Sequence, residues 1–168
     1  DLGTTNSLVA VCDDRGPRII ADEQGRPLLP SVVRYEADPT SPVRLRAVVG
    51  HEARRSAVEH PLTTVSSVKR LMGRSRAHAA PDLLYLPYRV VEGEHDTARI
   101  ALPLETGERV VSPQEVSAHI LGALRERASR ALGTEVRRAV VTVPAYFGDA
   151  QRQATRDPGR LAAVEPEP

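Results

Sequence analysis

Ser112-Pro113-Gln114-Glu115-Val116 opens residues 112–155, from which the fold class follows. Serine, then proline, then glutamate three positions on, is a capping box with proline at the first helical position. The Ser112 hydroxyl can accept the Glu115 amide, and the Glu115 carboxylate can reach back to the Ser112 amide. Val116, Ile120, Ala123, Leu124, Ala128 and Ala131 follow at helical spacing, and Gly133 ends the run. Arg138-Ala139-Val140-Val141-Thr142-Val143 then reads as a largely buried strand stopped by Pro144, and another helix begins near Asp149. Helix, strand, loop, helix is the α/β half of a domain.

The β half lies before it. Leu8 to Val11 is a short apolar run ending in Cys12, and Asp13-Asp14-Arg15-Gly16-Pro17 supplies turn chemistry. Arg18-Ile19-Ile20 is the expected return strand and Ser31 to Tyr35 a third, together an antiparallel meander. As a strand residue, Cys12 is expected to be a buried small hydrophobe. Residues 36–110 read as an inserted subdomain. It holds a loop at Asp38-Pro39-Thr40-Ser41-Pro42, a short helix from His51 to Val58, and a second helix from Thr63 to Leu71 ended by Gly73. A loop-rich stretch from His78 to Pro87 follows, then strands at Tyr88–Val91 and Ala98–Leu102.

Composition narrows the function classes. The 168 residues are 40% hydrophobic and 27% charged, the profile of a globular chain. A net charge of +1 makes no bulk electrostatic case for nucleic acid or an anionic membrane. The basic set Arg44, Arg46, Arg54, Arg55, Arg70, Arg74 and Arg76 reads as a solvated face, with little aromatic interleaving to stack bases. No apolar stretch is long enough to span a bilayer. One cysteine rules out an internal disulfide framework and fits a reducing compartment. His51, His60, His78, His95 and His119 show no metal-ligand spacing.

Two features carry chemistry. The opening Asp1-Leu2-Gly3-Thr4-Thr5-Asn6-Ser7 combines a carboxylate suited to a hydrated Mg²⁺, a glycine that lets backbone approach phosphate, and two threonine hydroxyls. The amides of Gly3 to Asn6 could form an anion nest. A polar hairpin turn is the competing reading of the same residues. The second feature is Lys69, the only lysine in a chain whose other 22 basic residues are arginine. A compact ammonium can place a water beside a phosphate where a planar guanidinium cannot. Chance retention on a solvated helix face is the alternative.

Four strings now resemble one family, in order and at sensible spacing. They are Asp1 to Ser7; Leu29-Pro30-Ser31-Val32-Val33; Val68-Lys69-Arg70-Leu71-Met72-Gly73-Arg74; and Val141-Thr142-Val143-Pro144-Ala145-Tyr146-Phe147-Gly148-Asp149-Ala150-Gln151-Arg152-Gln153-Ala154-Thr155. Together they resemble the nucleotide-binding domain of the Hsp70 chaperones. Ser66 to Ser75 and Leu86-Pro87-Tyr88 most resemble its HscA-type branch, which serves iron–sulfur cluster assembly; a general DnaK-type Hsp70 is the runner-up.

The resemblance implies an α/β fold: an incomplete actin-like, ribonuclease-H-like ATPase lobe, residues 1–35 and 111–168, carrying the α+β insert. It implies ATP or ADP with Mg²⁺. Asp1 would sit by the Mg²⁺ water shell, and Gly3, Thr4, Thr5 and Asn6 would hold the phosphates. Lys69, with Thr4, would act in the hydrolytic step. Pro144 and Arg152 match family positions that couple nucleotide state to a substrate domain. On the residues alone, Pro144 is a strand stop and Arg152 a solvated helix charge. Implied partners are a J-domain co-chaperone and an iron–sulfur scaffold protein or unfolded peptide client, in the cytoplasm, with no nucleic acid and no membrane.

The departures are as specific. The family's second lobe, its Asp-Leu-Gly-Gly-Gly loop and its peptide-binding domain are not in these residues. Asp157-Pro158-Gly159 stands where the family has Asp-Ala-Gly, and a proline inside a helix costs roughly 3 kcal/mol. From about Val164 the tail leaves the family pattern. These features suggest a truncated or frameshifted reading of a larger protein, unable by itself to bind ATP tightly or hydrolyse it. A small-molecule kinase of the same fold and an inert fragment are the other-class alternatives.

Overall fold

The computed structural model describes residues 1–41, 43–145 and 147–167. Pro42 of the expected loop, Tyr146 of the 141–155 string and Pro168 of the tail lie outside the described residues. The chain runs β1 (Asn6–Ser7), β2 (Ala10–Asp13), β3 (Gly16–Ile19), β4 (Leu29–Pro30), β5 (Val32–Ala37), β6 (Leu45–Val49) and α1 (His51–Arg55). It continues through β7 (Thr64–Ser66), α2 (Arg76–Leu83), β8 (Arg89–Glu92), β9 (Ala98–Leu104) and β10 (Gly107–Val111). It finishes with α3 (Pro113–Leu132), β11 (Arg138–Val140), α4 (Asp149–Leu161) and β12 (Glu165–Glu167).

α3 forms as its sequence dictates. Ser112 Oγ accepts the Glu115 amide at 3.0 Å, and Glu115 Oε2 accepts the Ser112 amide at 2.6 Å. These bonds satisfy two donors that a helix start would otherwise leave open. Gly133 closes the other end in a left-handed conformation, φ 66°. Val116, Ile120, Leu124 and Ala128 are buried on one face, Ala123 is partly buried, and Ala131 is exposed. That face joins a core containing Val33, Tyr35, Val65, Leu71, Ile100 and Leu102.

The strands gather into small sheets. β2 and β3 pair antiparallel, Ala10 opposite Ile19. β5 is central in the order β6-β5-β7, and β9 is central in β10-β9-β8. β1 pairs with β4, and β11 pairs parallel with β12.

Several expectations are corrected. The third strand does not extend a meander from the hairpin: β5 pairs with β6 and β7 instead. Cys12 is exposed, because its hairpin is two-stranded and its register partner is Pro17. The helix expected over Thr63–Leu71 is a strand followed by a single 3-10 turn, Val68–Leu71. Val65, Val68 and Met72 mimic helical spacing, but Thr64 and Val65 are β-branched and β5 offers them an edge. Ser67, at φ 54°, separates the two. The loop expected over His78–Pro87 contains most of α2. Its cap, Ser75 Oγ accepting the His78 amide at 3.2 Å, prevails over the internal Pro81. The strand expected over Arg138–Val143 ends at Val140, which is 64% exposed, because β12 is its only pairing strand among the described residues. No described helix is long and apolar enough to cross a membrane.

Candidate functional site

The opening loop folds back on itself. The Leu8 amide donates to the Asp1 carbonyl at 3.0 Å, and the Gly3 amide donates to Ser7 Oγ at 3.2 Å. A Cβ placed on Gly3 would lie 2.1 Å from the Asn6 carbonyl oxygen, so only glycine fits this curl. Beneath it, the buried Ser7 and Ser31 hydroxyls meet at 2.9 Å. The Ser31 amide donates to the Thr5 carbonyl at 3.0 Å. The string Leu29 to Val33 therefore underpins the loop. A serine within a buried run, Ser31 between Pro30 and Val32, is the sequence signal of that role.

Lys69 lies in the 3-10 turn after β7. Its Nζ donates to the Leu2 carbonyl at 2.7 Å and lies 5.3 Å from the centroid of the Phe147 ring. Partial burial pulls the Lys69 ammonium below its ordinary pKa. The lysine thus ties the opening loop to the segment before α4, and a freely solvated side chain is ruled out. Phe147 was not singled out from sequence for this contact; its position in the 141–155 string was the only signal.

Arg152, on the first turn of α4, reaches backward. Its Nε donates to the Phe147 carbonyl at 3.0 Å and its Nη2 to the Ala145 carbonyl at 3.2 Å. The Phe147 amide donates to the Pro144 carbonyl at 3.1 Å. Pro144 and Arg152 therefore bracket one turn that carries the ring facing Lys69. Arg152 is exposed, as its solvated reading expects, and its guanidinium also holds the Ala145 and Phe147 carbonyls.

Asp1 meets the same region from the other side, its Oδ1 accepting from the Thr142 hydroxyl at 3.1 Å. Thr4 and Thr5 line a cleft of about 320 Å³ with Ser31, Arg54, Thr64 and Ser67. Asp1 and Lys69 lie outside that cleft, so the predicted residues fall on two sides of one loop. Asp1 instead borders an apolar cleft of about 600 Å³ between the β2–β3 hairpin, α3 and β11, walled by Val9, Leu121, Leu124, Ala139 and Val141. Among the described residues, no cluster of three or more His, Cys, Asp and Glu side chains could hold a metal directly. A lone carboxylate beside a hydroxyl suits a hydrated cation that keeps most of its waters.

The expected basic face is solvent-exposed apart from the partly buried Arg74, and some of its arginines are also paired. Arg70 and Arg74 both pair with Asp82, at 2.7 and 2.8 Å. Arg54 Nη2 donates to the Thr5 carbonyl at 3.1 Å. Position in the sequence gave no sign of either arrangement.

Comparison with known proteins adds to this geometry. The family model described as Hsp70 protein matches residues 1–167. The chain is 49% identical over 164 residues to a protein named Chaperone protein HscA from Edwardsiella ictaluri. It is 51% identical over 164 residues to proteins named Chaperone protein HscA homolog from Pseudomonas fluorescens and from Pseudomonas aeruginosa. Each alignment covers 98% of this chain and 25% of the relative, so the chain spans about a quarter of the length of these proteins.

Proposed function

Since the chain belongs to the Hsp70 family, we propose that it supplies the phosphate-holding wall of an ATP-driven chaperone's nucleotide site. One observation carries the reading: the only lysine in the chain reaches 2.7 Å to the backbone of the glycine–threonine loop. A solvated lysine on an arginine-rich surface has no reason to be held there, partly stripped of water and against an aromatic ring.

The residues fit Mg-ATP. The Gly3 curl is too tight for a side chain, so backbone and the Thr4 and Thr5 hydroxyls form the surface that meets phosphate. Gly3, Thr4, Thr5 and Asn6 would hold the phosphates, with the Gly3 amide already engaged by Ser7 in the geometry above. Asp1 would orient the waters of a Mg²⁺ ion, which would offset phosphate charge when bound. Lys69, with Thr4, would position the attacking water, so the chain's part in hydrolysis is positioning and charge stabilisation. The 144–147 turn, fixed by Arg152, would transmit the position of Lys69 toward α4.

The wider proposal follows the family. The fold is an incomplete actin-like lobe, 1–35 and 111–168, with 36–110 inserted. The whole protein is an iron–sulfur-assembly chaperone of the cytoplasm, working with a J-domain co-chaperone and a scaffold or unfolded client. The names of the relatives and the Ser66–Ser75 resemblance support that branch. The 168-residue chain itself binds nucleotide weakly and does not turn it over, because a wall without an opposing wall leaves phosphate charge in water.

Titration of the ¹⁵N-labelled chain with Mg-ATP tests the reading. Shifts at the amides of Gly3 to Asn6, saturating only at millimolar nucleotide, are expected. Shifts confined to the apolar cleft beside β11 would remove the assignment. A micromolar constant by calorimetry would refute the weak-binding part.

A further inference from the structure

The carbonyl of Thr5 receives two donors from opposite parts of the chain. The Ser31 amide reaches it at 3.0 Å and Arg54 Nη2 at 3.1 Å. A carbonyl oxygen has two lone pairs, so both are committed. A peptide is one plane, and pinning its C=O fixes the direction of the N–H on the far side of the bond. For the Thr5–Asn6 peptide that N–H belongs to Asn6. In the observed register Asn6 faces Pro30, and the neighbouring bond runs from Ser31 to Thr5. Asn6 and Pro30 are therefore the pair that does not exchange hydrogen bonds, and the Asn6 N–H points away from β4.

The platform that presents Arg54 is rigid. Ala53 beside it is fully buried. The Gly50 amide, at the start of α1, donates to the Val32 carbonyl at 2.9 Å, and the Arg54 amide donates to the Gly50 carbonyl at 3.0 Å. Gly50 has φ 83° and so little room that an added Cβ would lie 2.4 Å from Leu29 Cδ1. Helix α1 is thus keyed against β4 and β5, the same strands that flank the loop, although 49 residues separate Arg54 from Thr5.

We propose that Arg54 is a positioning residue of the phosphate loop: by clamping the Thr5 carbonyl from α1 it aims the Asn6 amide outward for an anionic oxygen. Its direction rests on the phosphate-wall reading; the clamp itself does not. A long cationic side chain suits the task because it carries a charged donor from α1 to the Thr5 carbonyl.

Amide hydrogen exchange and Mg-pyrophosphate titration on the whole chain test this. Arg54→Ala is expected to speed exchange of the Ser31 amide about tenfold and to weaken pyrophosphate binding, read at the Asn6 amide, by a similar factor. Exchange at Val33 and Val65 and the melting temperature should hold, and Arg54→Lys should restore most of both readouts. A merely structural arginine would move the melting temperature and core exchange together. If Arg54→Ala lowers the melting temperature, Arg54→Gln, which keeps most of the stem, is judged by the same criteria. Ser31 exchange unchanged in the well-folded variant overturns the clamp. If pyrophosphate leaves the Gly3–Asn6 amides of the wild-type chain unmoved while Arg54→Ala still speeds Ser31 exchange, the phosphate reading falls and the clamp stands.

Discussion

Replacing Gly3 by alanine adds one methyl group where the structure has no room for it. The new Cβ would lie 2.1 Å from the Asn6 carbonyl oxygen and 3.3 Å from its carbonyl carbon, both backbone atoms that no rotamer change can move aside. Relief requires the loop to open by about 1 Å, the kind of forced shift that costs roughly 1–3 kcal/mol. Opening also stretches the 3.2 Å bond from the Gly3 amide to Ser7 Oγ, worth about 1 kcal/mol. The Ser7–Ser31 hydroxyl pair is buried beneath it and cannot turn to water in exchange. Gly3→Ala should therefore lose about 2–4 kcal/mol, a large part of the 5–15 kcal/mol typical of a domain. Urea unfolding followed by circular dichroism reads the loss as a lowered midpoint at constant slope. Gly122→Ala is the control: it lies in α3 with nothing within 4 Å of the added Cβ, and should stabilise by up to about 1 kcal/mol. A Gly3→Ala midpoint equal to wild type, with unmoved amide shifts over residues 3–8, would refute the tight-curl argument.

Three further outcomes are expected. Lys69, as the only lysine, can be titrated by its side-chain ¹³Cε resonance, and its midpoint should fall below the ordinary 10.5. The sign follows: the folded state releases this proton first, so the group costs stability at neutral pH and the cost fades as pH rises toward 10.5. Lys69→Met should lack that alkaline gain in urea unfolding. Arg152→Ala removes the donors to the Phe147 and Ala145 carbonyls, and should cost about 1 kcal/mol while speeding exchange of the Phe147 amide; unchanged exchange there would mean the turn holds without it. Pro158→Ala should raise the thermal midpoint. Restoring a helix donor gains up to about 3 kcal/mol, partly offset by about 1 kcal/mol of lost ring burial at a fully buried position.

Local signals explain which elements were legible beforehand. The Ser112–Glu115 box and Gly133 act within a few residues, so α3 and its ends follow from sequence alone. The hairpin turn at Asp13 to Gly16 is similarly local, and β2 and β3 flank it as expected. Residues 63–71 were misread because their spacing serves either period, and the choice was made by β5, a partner some thirty positions away. The 138–143 run was misread for a related reason: an apolar run signals burial, and burial needs neighbours that local sequence cannot supply.

At the site the division is the same. The chemistry is legible in the residue types: a carboxylate, a glycine, two threonine hydroxyls and one lysine in an arginine background, within strings that mark the family. Those are properties of residue type and near neighbours. Packing across the chain is what brings Lys69 to the Leu2 carbonyl, Phe147 to its ammonium, Arg152 to the Phe147 carbonyl and Arg54 to Thr5. Contacts between residues dozens of positions apart depend on how strands pair and helices pack. Arg54, Lys69 and Arg152 sit on helical turns, so the strands and core those turns pack against decide where each side chain reaches.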